Sequence, residues 1–401
     1  MKLGRSSVDV GSCGRPARDE RTTSRQSSVT SPARLDVITF GSSVAVALSA
    51  NDRAAGEWLS EYLEPWFAPT SQPADWRVHL SSSRAAYDAL RAHQPAVATA
   101  RPCFAFDTQV YHLPTWRDGD RLSVADAERS CFFSIAPGAV EIVADPETLR
   151  WRFTAALILV EIAATRMRRH SLDLHAAAIE LGGRAILLLG SKGAGKTTVA
   201  IHLLRSGLCR AIANDRAFAS AGGASVVVHG VPTAVKIRPT TLAEFPELLR
   251  EIPAVERPYL HSLAELRRAT AIPGPSDSVE LALSPPQFLR QLGAQPCAAA
   301  PLGAIVLPDV RSDLDGWDIT PLSPAEVRAA IQSNLYGASC GRREPTVFEE
   351  LASGLIDAPP TLVDRIARTV PGYRLLLGRG AYATHDLAQR FADIAAGTRS
   401  P

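Results

Sequence analysis

Between residues 185 and 205 the chain shifts from one periodicity to another. Five consecutive apolar residues, Ala185-Ile186-Leu187-Leu188-Leu189, lead into Gly190-Ser191-Lys192-Gly193-Ala194-Gly195-Lys196-Thr197, after which helical spacing runs from about 196 to 205 and ends at Gly207. A short apolar run bounded by glycines predicts a buried strand, and Gly207 suits a left-handed helix stop. Upstream, residues 172–181 are β-rich and are separated from 185–189 by Gly182-Gly183, which predicts a hairpin whose second strand feeds the glycine-rich segment. Downstream, 210–213 predicts a short strand ending on Asn214-Asp215, and 217–220 with 225–229 predicts another hairpin about Gly222-Gly223.

The flanking regions are patterned differently. Residues 1–34 are rich in Ser, Arg, Gly and Thr and carry no apolar block, so a disordered tail without an export signal is expected. Residues 37–40 and 44–48 predict two strands joined at 41–43. Asn51 or Asp52 can then cap a helix on which Trp58, Leu59, Tyr62, Leu63 and Trp66 form an apolar stripe, read as core packing. Strand-like pieces at 76–80, 103–106 and 109–112, and at 131–135 and 140–144 about Pro137-Gly138, complete a small β-rich module over 35–145. Asp145 as cap and Pro146 as first residue predict a helix to about Arg169, opening a second domain over 146–401. Within it, 243–292 is poorly patterned and Pro273-Gly274-Pro275-Ser276 predicts a loop. Strands at 303–307, 317–320 and 373–377 and helices at 323–334 and 384–395 follow, and no internal repeat is present.

Composition narrows the function classes. With 43 Lys and Arg against 41 Asp and Glu the formal charge is +2, too close to balance to draw the molecule to nucleic acid or an anionic membrane. A polyanion must therefore be held locally. The apolar stretch 153–160 is far shorter than the roughly 20 residues a spanning helix needs and predicts a buried helix. Six cysteines, at 13, 103, 131, 209, 297 and 340, form no Cys-x-x-Cys pair and lack a histidine at zinc-ligand spacing. They read as free thiols in a reducing cytoplasm.

The glycine-rich segment has the form of a phosphate-binding loop, Gly190 to Thr197, in the strand-loop-helix context its mechanics require. Backbone N–H groups unobstructed by side chains, together with the helix N-terminus, answer the oxygens of a triphosphate. Lys196 would reach the β- and γ-phosphates, the Thr197 hydroxyl would ligate Mg²⁺, and Thr198 would support the first helical turn. Asp215, at the end of the next strand, can hold Mg²⁺ or accept a proton from an attacking hydroxyl; the competing reading is a turn aspartate. His175 lies in the apolar strand before the loop, where a histidine is ordinarily a satisfied core residue. Lys236 and Arg238 can clamp phosphate or an acidic peptide, or form a solvated strand edge.

Leu174-His175-Ala176-Ala177, the loop through Thr198, Ala213-Asn214-Asp215-Arg216 and the segment 232–238 together resemble the catalytic region of the HPr kinase/phosphorylase family, and more closely its HPr-kinase-like bacterial relatives. The resemblance implies an α/β fold: a P-loop mixed sheet similar to the phosphoenolpyruvate carboxykinase and HPr kinase core, preceded by a small β-rich α+β module. It implies ATP- and Mg²⁺-dependent phosphorylation of a hydroxyl, on serine of a peptide or protein or on a small molecule, and points toward peptide natural-product pathways. It gives His175, Lys196 and Asp215 catalytic roles. Two departures argue against phosphorylase activity and against HPr as the acceptor. Asn214 stands where the bifunctional enzymes carry the first aspartate of a pair, and an amide cannot accept a proton at neutral pH. The Pro-Val-x-x-Gly-Arg-Asn type of signature is also missing, with Gly341-Arg342-Arg343 a faint echo. An ATP-hydrolysing switch and a catalytically silent nucleotide-binding scaffold stay open as alternatives, and so does a homo-oligomer.

Overall fold

Residues 33–144 carry one nine-stranded sheet. In the computed structural model, which describes residues 33–40, 44–106, 109–249, 281–336, 344–351, 360–382 and 386–396, its strands are β1 (Ala33–Phe40), β2 (Val44–Ala50), β3 (Phe67–Pro69), β4 (Trp76–Ser82), β5 (Thr99–Phe106), β6 (Gln109–Asp118), β7 (Arg121–Asp126), β8 (Cys131–Ala136) and β9 (Ala139–Ala144). They lie in the order β3-β1-β2-β4-β9-β8-β7-β6-β5, with β2, β4 and β9 parallel neighbours and the other pairs antiparallel. Helix α1 (Arg53–Leu63) is capped by Asp52, whose side chain accepts from Ala55 N, and it buries Leu59, Tyr62 and Leu63 as the stripe predicts.

Three elements of this sheet region have no counterpart in the expected pattern, the short β3 among them. Helix α2 (Arg84–His93) buries only Tyr87, too little to leave an apolar stripe in the sequence. Strand β7 carries the buried Asp126 where an apolar residue would be expected, and Arg129 neutralises it at 3.0 Å.

The helix predicted from Pro146 begins later. Helix α3 (Trp151–Met167) has Arg150 at its N-cap with no side-chain cap. Asp145 bonds Glu147 N at 3.0 Å and Thr148 bonds Arg150 N at 3.2 Å, so the expected capping groups close turns instead. Almost every side chain of α3 is buried, which accounts for its uniform apolarity. Among the described residues no helix is long and apolar enough to cross a membrane.

The second large sheet contains β10 (Ser171–Leu181), β11 (Arg184–Leu189), β12 (Cys209–Ala213), β13 (Arg216–Gly222) and β14 (Ser225–Gly230), then β17 (Gln295–Pro296), β18 (Ala299–Asp315), β19 (Trp317–Leu322) and β20 (Gly372–Arg379); a separate pair joins β15 (Val235–Ile237) to β16 (Leu281–Leu283). The helices are α4 (Lys196–Arg205), α5 (Pro239–Glu244), α6 (Pro285–Leu292), α7 (Pro324–Ser333), α8 (Val347–Leu351), α9 (Pro360–Thr369) and α10 (Asp386–Ala396). β11 and β18 are parallel, while β10 runs antiparallel to β11, β12 and β13. The protein is thus mixed α/β with two large mixed sheets.

The unbroken apolar run of β11 follows from burial on both faces. Ile186 and Leu188 face the core shared with Val199 and Leu203 of α4 and Phe391 of α10; Leu187 and Leu189 face the core shared with Ile331 of α7 and Ile366 of α9. Residues 32–401 form one compact unit, and Trp66 Nε1 donates to Ile212 O at 2.8 Å across the two sheet regions. Cys103, Cys131, Cys209 and Cys297 are buried free thiols, and burial pushes Cys103 and Cys209 up to about 12. Of the tail expected over 1–34, Ala33 and Arg34 belong instead to β1, where they pair with β2, and residues 1–32, Pro273-Gly274-Pro275-Ser276 and Gly341-Arg342-Arg343 lie outside the described residues.

Candidate functional site

β11 ends at Leu189 and α4 begins at Lys196, and the six residues between them turn on three glycines with positive φ: Gly190 at 151°, Gly193 at 90° and Gly195 at 101°. An added Cβ would meet Ala194 Cβ at 2.9 Å from Gly190 and Val310 Cγ2 at 2.9 Å from Gly195. Glycine is therefore required at both positions by conformation and by space. Gly195 is also the N-cap of α4 and offers no side-chain oxygen, so the first-turn N–H groups have no side-chain cap from that position. Ser191, Lys192 and Gly193 are exposed and Ala194 is half-buried.

Lys196 is buried, and its ammonium donates to Gly190 O at 2.6 Å and Ser191 O at 3.3 Å. The loop's own carbonyls thus hold the charge beneath it. Thr197 is half-buried in the first turn of α4. Thr198 bonds Thr241 Oγ1 at 3.0 Å, tying that turn to α5. Arg238, the N-cap residue of α5, places Nη1 3.4 Å from the position a Cβ on Gly193 would take. Of the two basic residues Lys236 and Arg238, it is Arg238 that lies against the loop.

β10 brings the loop and the Asn214-Asp215 corner together. On one edge of β10, Ala176 pairs with Leu189, the last residue of β11. On the other edge, Ala178 pairs with Ala213 and His175 with Arg216, so the end of β12 and β13 share one register about Asn214-Asp215, while a bulge between Ala178 and Ile179 offsets the rest of β12 by one residue. Ala176 N donates to Asp215 O at 3.1 Å, which places Asp215 level with the end of β11. Two strand spacings of about 4.8 Å separate their backbones by roughly 10 Å. His175, on the strand between, puts Nε2 3.4 Å from Asp215 Oδ1, and Asp215 keeps 30% of its side chain exposed. That separation lies just beyond a well-formed hydrogen bond and within ion-pair reach.

Asn214 has a different neighbourhood. It lines a cavity of about 20 Å³ with Trp66, Ala178, Thr233 and Phe288, room for about one water. Asn214 Oδ1 and Thr233 Oγ1 are buried there without a hydrogen-bond partner. A carboxylate at 214 would be desolvated among mainly apolar walls.

Beneath His175 lies an ionic cluster that the sequence did not disclose. Arg216, fully buried, grips Asp173 through Nε at 3.0 Å and Nη2 at 2.8 Å and reaches Glu161 through Nη1 at 2.8 Å. Arg168 bonds Asp173 and Glu349, each at 2.7 Å. The Tyr336 ring lies 4.3 Å from the Arg216 guanidinium carbon. Among the described residues, two guanidiniums face three carboxylates in this cluster. Burial pushes the Asp173 carboxyl up to about 7, against the pull of Arg168, and Glu161 and Glu349 add to the rise. Asp173 adjoins the Leu174-His175-Ala176-Ala177 motif, and Arg216 closes Ala213-Asn214-Asp215-Arg216. The only signal in the sequence was a pair of opposite charges within otherwise apolar strands.

Among the described residues no group of three or more His, Cys, Asp and Glu stands together as a metal centre. Mg²⁺ bound with a nucleotide draws most of its ligands from phosphate and water and needs only one or two from protein, so Thr197 and Asp215 fit that demand in kind. The glycine positions that a Cβ would fill and the buried ammonium of Lys196 fit a polyphosphate in the same sense.

No family model matches the chain, and no curated protein matches it. Among solved structures, the HPr(Ser) kinase/phosphatase from Coxiella burnetii is a weak structural neighbour, with 11% sequence identity, 56% of this chain and 94% of that chain covered, and a TM-score of 0.23. A match at that level establishes neither fold nor activity.

Proposed function

We propose that the protein is an ATP-dependent phosphotransferase that moves the γ-phosphoryl group to a hydroxyl, with serine of a peptide or protein as the acceptor class. The observation that carries this reading is the His175–Asp215 pair, 3.4 Å apart and one strand from the end of the glycine-rich loop. A loop alone would suit any triphosphate binder. A carboxylate paired with a histidine about 10 Å away across β10 adds a group that can take a proton.

In this mechanism the N–H groups of Ser191, Lys192, Gly193, Gly195 and Lys196 face the phosphates, those of Gly190 and Ala194 being bonded to Asn334 Oδ1 and Ser191 O, and Lys196 neutralises the phosphate charge, with Arg238 adding a guanidinium at Gly193. Asp215 accepts the acceptor's hydroxyl proton as that oxygen bonds to the γ-phosphorus and the bond to the β-γ bridging oxygen breaks, releasing ADP. His175 orients Asp215 through Nε2. Mg²⁺, held by Thr197 and Asp215, would offset charge on the phosphates. Loose phosphoryl transfer asks the protein mainly for positioning and charge neutralisation, which these groups provide.

The test is incubation with γ-labelled ATP, Mg²⁺ and serine-containing peptides encoded beside the gene, read by mass spectrometry. Phosphoserine on a peptide is expected. ATP hydrolysis indifferent to every acceptor would favour a switch, and ATP binding without turnover a silent scaffold; either outcome sinks the kinase reading.

A further inference from the structure

At the level of Ala176, β11 leaves β10 to enter the loop, and the vacated edge of β10 is taken up by residues 334–336 from the end of α7. His175 N donates to Asn334 O at 2.8 Å, Leu174 bridges Leu335, and Tyr336 N donates to Asp173 O at 2.7 Å. The side chain of Asn334 reaches across the same seam. Its Oδ1 accepts from Gly190 N at 3.1 Å, and its Nδ2 donates to Ala330 O at 2.8 Å and Ser333 Oγ at 3.3 Å. The carboxamide has one orientation that satisfies these partners, since oxygen must face the Gly190 N–H and nitrogen the Ala330 carbonyl. Asn334 is 6% exposed, so water competes little for these bonds.

We infer that Asn334 is a positioning residue that locks the entry of the glycine loop to the strand carrying His175, so that nucleotide and proton acceptor keep one relative placement. This rests on the phosphotransferase reading above. The backbone carbonyl holds His175 and the carboxamide holds Gly190, so one residue spans both halves of the site. Gly190 needs such a restraint because, at φ 151°, it occupies backbone space that offers glycine wide freedom. The Asn334 carboxamide reduces that freedom to one N–H direction.

Two variants test this, with nucleotide affinity measured by calorimetry well below the thermal midpoint, where a merely structural role would leave affinity unchanged. Asn334→Ala removes the acceptor, and ATP affinity should fall about tenfold, the equivalent of one hydrogen bond, with kcat falling as well. Asn334→Asp keeps an acceptor for Gly190 N but puts a negative charge beside the loop. Its loss of affinity should grow with ligand charge, from adenosine through ADP to ATP, and this variant carries the test if Asn334→Ala does not fold. Wild-type affinity for ATP in both variants overturns the inference while leaving the kinase reading standing. If the wild type binds no nucleotide, the reading of the loop falls and this role falls with it.

Discussion

Gly195→Ala tests whether the loop's geometry, and not only its composition, makes the nucleotide site. The residue sits at φ 101° and ψ 5° at the N-cap of α4, and an L-residue held in left-handed space costs about 1–2 kcal/mol. The new methyl would lie 2.9 Å from Val310 Cγ2, 3.8 Å from Leu377 Cδ1 and 3.9 Å from Pro308 Cβ. Val310 is half-exposed and can turn aside, at roughly 0.5–1.5 kcal/mol for an off-rotamer side chain. The sum is about 1.5–3.5 kcal/mol. The loop can shed that strain by shifting, but the shift turns its N–H groups away from the phosphates. ATP affinity should therefore drop by up to roughly 10- to 300-fold, at 1.4 kcal/mol per tenfold. Gly207→Ala is the control: it lies past the other end of the same helix at φ 73° with nothing within 4 Å of the added Cβ. It should cost about 1–2 kcal/mol of stability through backbone strain alone and leave ATP affinity within a factor of two. Calorimetric titration with ATP, paired with thermal unfolding of both variants, makes the comparison. Equal ATP affinities in the two variants would refute the argument that the approach of Gly195 to β18 shapes the site.

Three further outcomes are expected. Lys196→Ala removes a buried ammonium aimed at the loop, and ATP affinity should fall roughly 10- to 100-fold, the worth of a charge-assisted hydrogen bond; unchanged affinity would show that Lys196 serves only the loop carbonyls. Asp215→Asn should lower label transfer by roughly 10²- to 10⁴-fold, the range for losing a general base, with ATP affinity changed only a few-fold, and normal transfer would remove Asp215 from the mechanism. The third concerns pH. Asp173 is raised from its ordinary 3.8 to about 7, so between those values the folded protein holds more protons than the unfolded chain, and this group's contribution to stability declines as pH rises through the window. Glu349→Gln removes one carboxylate charge that raises Asp173 while keeping an acceptor for Arg168. The urea midpoint of the variant should therefore lose less than that of the wild type between about pH 5 and 7.5, and a parallel decline would rule out Glu349 as a cause of the rise.

How much of this was legible beforehand depended on whether the determining contacts were near in sequence. The β10–β11 hairpin was, because Gly182 and Gly183 supply the positive φ that a two-residue turn demands. The start of α7 was too, because Ser323 and Glu326 form a capping box within four residues. The strand-loop-helix around Gly190 belongs with them: its glycines, apolar strand and helix stop are all written locally. Helix α3 was misplaced at its start because Asp145 and Thr148 can close turns as readily as cap a helix, and local composition does not choose between them.

Residues distant in sequence obeyed no such local rule. Periodicity gave His175 in an apolar strand no mark of function, which came only from the family resemblance, and its approach to Asp215 depends on Ala213 and Arg216 sharing one register along β10. The charges at Glu161, Arg168, Asp173, Arg216 and Glu349 are scattered in the sequence until two strands and two helices converge on them. Asn334 looked like the end of an ordinary helix, and only the departure of β11 from β10 gives its carboxamide a place at Gly190. By itself, then, the sequence determined the loop and the periodic elements beside it, since backbone conformation and hydrophobic periodicity are local properties. The tertiary structure alone decided which carboxylate, imidazole and amide meet at that loop, because strand pairing brings together residues that no short-range preference connects.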